Sequence, residues 1–484
     1  MIGRKYNKFF QGFLFAFACL FLINFLCTLH FNFSQKFVTL SVLQISSNKD
    51  FYSSKKVSAQ DASEDRFNTS FSCQLLKAKL LGPTGEFHVL GSKRELGIYS
   101  VFLDKRKSDN TTEKRSISGH KNGVLRIFLA KKRLSFPKVY CHFFGIDGEV
   151  KSVASRNLIG REFAFYELTE NHLRPYGGYS VHCDAPDLKK PVQTESGYCG
   201  VAISTSASFL PKNAAFFAVP VIGQGSTVLP TQEKSLLKFD HQFGICVPAL
   251  HNMEYLNPWR LDEWIQIHIR LGVTKFRFYH SKTIVQSLLT VLTAPRYWNG
   301  LSIDIELIPL IWPDHPEIAS RLSWYYFQII TVNDCLYRSM PDVQFAFFGD
   351  IDEILVPLSP VATGWGSLTD YLWNTSSPNL LCPGYCFNSA IFPTNDEDEE
   401  FERPFHRHYI RRIEKLDSVR KKCLVRPLWI FEMGIHHISK PYEESTTAAL
   451  NAKSENAIVH HYRFEAIDRR DKIIEDKSLQ RFLP

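Results

Sequence analysis

The stretch Phe345-Ala346-Phe347-Phe348-Gly349-Asp350-Ile351-Asp352-Glu353-Ile354-Leu355-Val356-Pro357 decides how the chain is read. It opens as a short, unbroken apolar run, the pattern of a strand buried on both faces of a mainly parallel sheet. The run stops at Asp350, and a second carboxylate follows at Asp352. Carboxylates at the C-terminal end of a buried strand are unfavourable unless something pairs with them. That edge is also where open α/β sheets bind ligands. A divalent cation carrying a diphosphate would neutralise both groups. A turn or a helix cap is the plainer account of the same residues.

Upstream of this run, strand and helix patterns alternate from Gly244 onward. Gly244–Leu250 reads as a strand, followed by a loop from His251 to Pro258. Arg260–Leu271 has helical spacing and a closing Gly272. Phe276–Tyr279 reads as strand, Val285–Leu292 as helix and Ser302–Leu310 as strand. Pro316–Leu336 is expected to be one long helix with Arg321, Tyr325 and Gln328 on one face. This order predicts a doubly wound α/β core. No Gly-x-Gly-x-x-Gly follows the first strand and no Walker A sequence occurs, which argues against dinucleotide dehydrogenases and P-loop enzymes.

All eight tryptophans lie at or beyond Trp259, so the chain changes character near residue 240. From residue 71 to 239 short strand-like runs at Val124–Leu129, Lys138–Phe143 and Tyr179–Cys183 predict an antiparallel β module. Its expected role is a spacer or packing partner rather than a sugar binder. Nine cysteines follow residue 33 without zinc-ligand spacing. Cys141 and Cys183 are the favoured bridge, and Cys246 reads as a buried small hydrophobe.

Phe9–Phe33 is apolar and long enough to cross a bilayer. Arg4, Lys5 and Lys8 precede it, which leaves residues 1–8 in the cytosol and the remainder in the lumen. A cleaved signal peptide is the competing reading, and no clear small-residue cleavage site follows. Residues 34–70 read as a polar stem. Sequons at Asn68, Asn110 and Asn374 and the cysteine content fit an oxidising lumen. The formal net charge of +8 is modest for 484 residues and concentrated in Asp104–Lys121 and Arg403–Lys422. Nucleotide phosphates or solvated loops account for it, and nucleic acid is not an expected partner of a lumenal chain.

Beyond Pro357, Gly366–Trp373 reads as helix, Asn395–Glu402 as an acidic loop and Arg411–Arg426 as basic. His436-His437 and His460-His461 matter because an aspartate-bound Mn²⁺ would accept an imidazole.

From Gly244 to Phe464 the chain resembles glycosyltransferase family 92, once catalogued as a domain of unknown function and expanded in nematodes. The matching residues are Cys246-Val247-Pro248-Ala249-Leu250, Glu263-Trp264-Ile265 through Phe276-Arg277-Phe278-Tyr279, Arg321, Gln328 and Asn333–Arg338. Asp350-Ile351-Asp352-Glu353-Ile354-Leu355-Val356-Pro357 is similar to the family's carboxylate motif. Gly434-Ile435-His436 and His461-Tyr462-Arg463 are similar to its closing histidine motifs.

The resemblance implies a GT-A-like fold over residues 240–484, a nucleotide-sugar donor, Mn²⁺ or another divalent cation, a glycan acceptor and a Golgi membrane location of type II topology. Relatives move galactose from UDP-galactose in β linkage to fucose or a related sugar, which requires inversion and a base. By resemblance Asp350 and Asp352 hold the metal with His436 as third ligand, His437 and His461 being alternatives. Pro248, Leu250, Tyr279, Ser281 and Arg321 are expected to face the donor. Glu353 is a candidate base, as are the carboxylates of Asp396–Glu402, and it is equally a candidate for orienting the motif. A lumenal sugar-binding or scaffolding protein without turnover is the alternative function.

Overall fold

The apolar run at 343–348 is a strand with a parallel neighbour on one side and an antiparallel one on the other. This junction organises a computed structural model that describes residues 85–484. It leaves aside 92–93, 107–121, 146–147, 157–163, 189–195, 210–213, 224–237, 252–255, 282–283, 359–361, 376–381, 395–404, 443–448 and 465–469. The expected anchor, stem, the sequons at Asn68 and Asn110 and the acidic run lie wholly or largely outside the described residues. Among the described residues no helix is long and apolar enough to cross a membrane.

In the C-terminal half, β1 (His241–Leu250), α1 (Pro258–Arg270), β2 (Lys275–His280), α2 (Gln286–Thr293) and β3 (Asp304–Pro309) follow one another. Then come α3 (Gln328–Ser339), β4 (Val343–Phe348), β5 (Glu353–Pro357), α4 (Trp365–Thr375), β6 (Gly384–Thr394), β7 (Asp417–Val425), β8 (Leu450–Asn451) and β9 (Ala457–Phe464). The strands hydrogen-bond in the order β3-β2-β1-β4-β7-β6-β9-β5, and β8 pairs with β6. The first four run parallel. β4–β7, β7–β6 and β9–β5 are antiparallel, while β6–β9 is parallel. The expectation of a mainly parallel sheet therefore holds for one half of a mixed sheet.

That order requires curvature. β4 and β5 are four strand positions apart, roughly 19 Å in a flat sheet. The linker between Phe348 and Glu353 reaches at most about 17 Å fully extended, and it is a turn closed by a 3.1 Å bond from Glu353 N–H to the Asp350 carbonyl. The sheet must curl to bring its far edge back, and the turn lies where the two ends meet.

Local sequence explains the elements. Asn257 caps α1 by accepting from Trp259 N–H, and Pro258 opens the helix. Gly272 ends it with φ 109°, a conformation that favours glycine. Alternation along the strands supplies both faces. Phe243, Ile245, Val247, Phe276, Phe278, Phe345 and Phe347 pack with Trp264 of α1 and Trp365 of α4. Cys246, Tyr279, Ala346 and Phe348 pack on the other side with Ile329, Ile330 and Leu336 of α3. Cys246 is not simply a small hydrophobe there, because a disulfide to Cys335 ties β1 to α3.

The single helix expected over 316–336 is broken. Pro316–Ser320 is a short helix, and α3 begins only at Gln328. Tyr325, Tyr326 and Phe327 between them have φ of 39°, 52° and 59°. Ser323 directs the break: its hydroxyl donates to the Ala319 carbonyl and accepts from Phe327 N–H. The turn buries Phe327 and leaves Tyr325 outward.

Among the described residues the N-terminal half holds two β-sheets, antiparallel as expected except for the short pairing of Val221–Ile222 with Leu103–Asp104. One is built on Leu96–Asp104, Val124–Lys132 and Tyr176–Asp184, the other on Tyr140–Phe144 and Gly200–Ser204. The Cys141–Cys183 disulfide joins them. The described residues form one compact unit, because the first sheet is buried twice over. Ile98, Val101, Leu125 and Ile127 face the second sheet, whereas Tyr99, Phe102 and Phe128 pack on α3.

A buried ion cluster fastens this contact. Asp104 accepts from Arg106 Nε at 3.0 Å and Nη2 at 2.8 Å, and from Arg126 Nε at 2.6 Å. Arg106 Nη1 donates to the carbonyls of Leu428 at 3.0 Å and Ile430 at 2.8 Å. Burial opposes the Asp104 charge, but the two guanidiniums hold its carboxyl far below the usual range. Asp104→Asn should leave two buried cations undercompensated and lower stability by about 3–5 kcal/mol, read as a reduced urea midpoint with an unchanged slope.

Candidate active site

The carboxylate motif is a turn built from its own side chains. Gly349 N–H donates to the Cys246 carbonyl at 3.2 Å. A Cβ on Gly349 would stand 2.4 Å from the buried Phe347 ring, so this close approach requires glycine. Asp350 N–H donates to Glu353 Oε2 at 2.9 Å, reciprocating the backbone bond that closes the turn. Ile351 packs partly on the core. Asp350 and Asp352 are left with side chains 40% and 42% exposed, against 2% for Glu353.

Glu353 thus braces the turn through its bond to Asp350 N–H, and its side chain also lines the cleft onto which the turn opens. One ammonium and one imidazole stabilise the cluster. Lys422 on β7, 2% exposed, donates from Nζ to Asp350 Oδ2 at 3.0 Å and lies 3.1 Å from Glu353 Oε2. His461, opposite Glu353 in the β5–β9 pairing, places Nε2 3.3 Å from Asp352 Oδ2 and Nδ1 3.7 Å from Glu353 Oε1. Burial works against the Asp350 carboxylate, yet the Lys422 ammonium holds it below its ordinary value. At Glu353 burial prevails and the carboxyl is pushed up. Burial opposes charge on His461 as well, but the Asp352 hydrogen bond and the charge of Glu353 raise it.

The turn opens on a cleft of about 700 Å³. Val247–His251 at the end of β1 form one side, with Trp324, Tyr325 and Gln328 beside them. Arg420, Ile435, His436, His461 and Arg463 form another, and Glu170 and His172 come from the N-terminal half. Pro248 and Leu250 thus face the cleft as expected. Ser281 does not line it; its hydroxyl donates to the Leu250 carbonyl and holds the end of β1. Tyr279 is corrected to a core residue, fully buried with its hydroxyl donating to Asp334 at 2.6 Å. Arg321 is exposed outside the cleft, because the helix carrying it stops at Ser320. The cation beside Asp350 and Glu353 is Lys422.

His436 lines the cleft, with Nδ1 3.2 Å from the Lys421 carbonyl; burial, and then Lys422, lower its basicity. His437 is exposed and stands 3.9 Å from Glu170. Sequence reasoning missed Lys422, Arg420, Glu170 and His172. Arg420 and Lys422 had one signal, two basic residues at strand spacing within a segment read only as basic.

Asp350 and Asp352 suit a hard cation such as Mn²⁺, which commonly takes one or two protein carboxylates and completes its shell with phosphate oxygens. Among the described residues no three His, Cys, Asp or Glu side chains are grouped to hold a metal by themselves. The donor set fits a cation shared with a ligand, and His436 lines the same cleft as the two carboxylates.

With this geometry in view, the comparisons are specific. Residues 241–481 match the family model for glycosyltransferase family 92. A beta-1,4-galactosyltransferase of Caenorhabditis elegans, galt-1, is 24% identical over 304 residues, 62% of this chain and 64% of that protein. Galactan beta-1,4-galactosyltransferases GALS2 and GALS3 of Arabidopsis thaliana are 27% and 25% identical, over 41% and 42% of this chain and 36% and 38% of their own lengths. The chain thus spans less than two thirds of each of these relatives. It carries a glycosyltransferase domain, and the family that this domain matches is family 92.

Lys422→Met should leave the Asp350 and Glu353 carboxylates facing each other and destabilise the fold by about 3–5 kcal/mol. Adding Glu353→Gln should recover part of that loss, so a double-mutant cycle on denaturant midpoints should show a clear coupling energy.

Proposed function

We propose that the domain transfers galactose from UDP-galactose to a sugar hydroxyl of a glycan acceptor, with inversion at the anomeric carbon. The observation that carries this reading is the pair of half-exposed carboxylates, Asp350 and Asp352, on one turn beside the C-terminal ends of β1 and β4. Pairing of β1 with β4 puts Pro248 and Leu250 within the same cleft. The named activities of the related proteins support galactose as the sugar.

In this reaction the acceptor oxygen forms its bond to the anomeric carbon as the bond to the diphosphate oxygen breaks. The hydroxyl proton passes to a base, and UDP leaves with the electron pair. Asp350 and Asp352 would hold a divalent cation, which when bound neutralises the diphosphate. Glu353 keeps both carboxylates aimed, through its bond to Asp350 N–H. Lys422 and Arg420 add positive charge near the position of the leaving group. The parallel half of the sheet, with ligand residues at its C-terminal edge, supports a GT-A-like reading. The disulfides at Cys141–Cys183, Cys246–Cys335 and Cys386–Cys423 support residence in an oxidising compartment such as the Golgi lumen, and the basic residues before Phe9–Phe33 support a type II orientation in its membrane.

Asp352→Asn should abolish galactosyl transfer and leave the thermal midpoint within a few degrees of the parent. Calorimetry of UDP with Mn²⁺ checks it: undiminished metal-dependent binding in this variant would remove the carboxylate pair from the reaction.

A further inference from the structure

The wall of the cleft contributed by the β-rich half is not explained by packing. Within the turn that carries it, Glu170, His172 and Leu173 have φ of 61°, 50° and 57°. Side chains other than glycine hold such a conformation at a cost of order 1–3 kcal/mol each. Leu173 is 78% exposed, so burial of this side chain does not offset the strain. The turn is instead pinned by polar bonds. Asn171 donates to the carbonyls of Leu168 at 3.1 Å and Gly178 at 2.9 Å, and accepts from Gly178 N–H at 2.6 Å. Thr169 N–H donates to Glu432 at 2.8 Å. The outcome of this bracing is that Glu170 and His172 project into the cleft.

What they present there matches a sugar ring. His172 lies over Trp324 with centroids 4.0 Å apart and planes tilted by 32°. Tyr325, 54% exposed, meets Trp324 edge-on at 5.2 Å. Aromatic faces suit the apolar C–H face of a pyranose, and a carboxylate suits its hydroxyl rim. Glu170 Oε2 accepts from Ile435 N–H at 2.5 Å, which sets this carboxylate beside the His436 segment. An anion fixed there repels a diphosphate and accepts hydrogen bonds from a neutral glycan. We infer that the Glu170–His172 turn, with Trp324, forms the acceptor subsite: the outer face of His172, backed by Trp324, stacks on the acceptor sugar and Glu170 binds its hydroxyls. This rests on the galactosyltransferase reading above.

The test uses the intact chain, with a galactose- or fucose-terminated oligosaccharide as acceptor probe. His172→Ala and Glu170→Gln should each raise the acceptor KM about tenfold, with the UDP dissociation constant in Mn²⁺ within twofold of the parent. His172→Phe, which keeps a stacking ring, should stay near the parent value. An equal loss of UDP binding would make the wall a nucleotide platform and overturn the proposal, as would an unchanged acceptor KM in His172→Ala. Should the parent neither bind UDP nor transfer galactose, the enzyme reading fails, and direct glycan binding decides this one. Loss of glycan binding in His172→Ala sustains the subsite, and retention, or absence of binding in the parent, sinks it.

Discussion

One buried ammonium makes the carboxylate turn possible. Asp350 and Glu353 approach the same Lys422 nitrogen, and Glu353 and Lys422 are both almost wholly withdrawn from water. Without a cation between them, the two carboxylates could not share this space while ionised. The position of Lys422 depends in turn on the register of β7. A slip of one residue would send every side chain of that strand to the opposite face. The Cys386–Cys423 disulfide joins directly opposed residues of β6 and β7, one position from Lys422, and fixes that register.

The two halves of the chain share the site because they share a core. Arg106 reaches across to the carbonyls of Leu428 and Ile430. Asn333 on α3 holds Met433 by both its N–H and its carbonyl, at 3.0 and 2.9 Å. Glu432 between them accepts from Thr169. The segment that ends in His436 is thereby fastened to α3 and to two strands' worth of β-rich structure.

What could be read from the sequence was what is encoded locally. Phe345–Phe348 announces a doubly buried strand by composition alone, and Asp350 and Asp352 mark its end. Asn257, Pro258 and Gly272 bracket α1 by their own conformational preferences. The cation was not legible, since Lys422 meets Asp350 only through the antiparallel pairing of β7 with β4, decided far along the chain. Arg321 was expected to face the donor from one long helix over 316–336. Ser323 and three residues at positive φ interrupt that helix, and helical periodicity does not register such a break. Tyr279 illustrates a different limit. At the end of β2 both faces are available, and the choice of core over cleft was made by Asp334 on α3. Glu170 and His172 gave no signal, because their turn acquires meaning only against Trp324 and Ile435.

The charge count of the turn separates folding from ligand capture. Asp350, Asp352 and Glu353 meet one permanent cation, Lys422, and one imidazole, His461, whose basicity the cluster raises. Three bare carboxylates would make the fold depend on a bound metal, as unpaired buried charges destabilise strongly. Complete neutralisation would leave nothing to attract one. The geometry lies between these limits. Lys422 satisfies the buried side of the cluster, shared by Glu353 and one oxygen of Asp350, while the outward carboxylate surface stays half-exposed. Residual negative charge is thus confined to the rim of the cleft, the side on which the proposed cation would find oxygen ligands without uncovering Glu353.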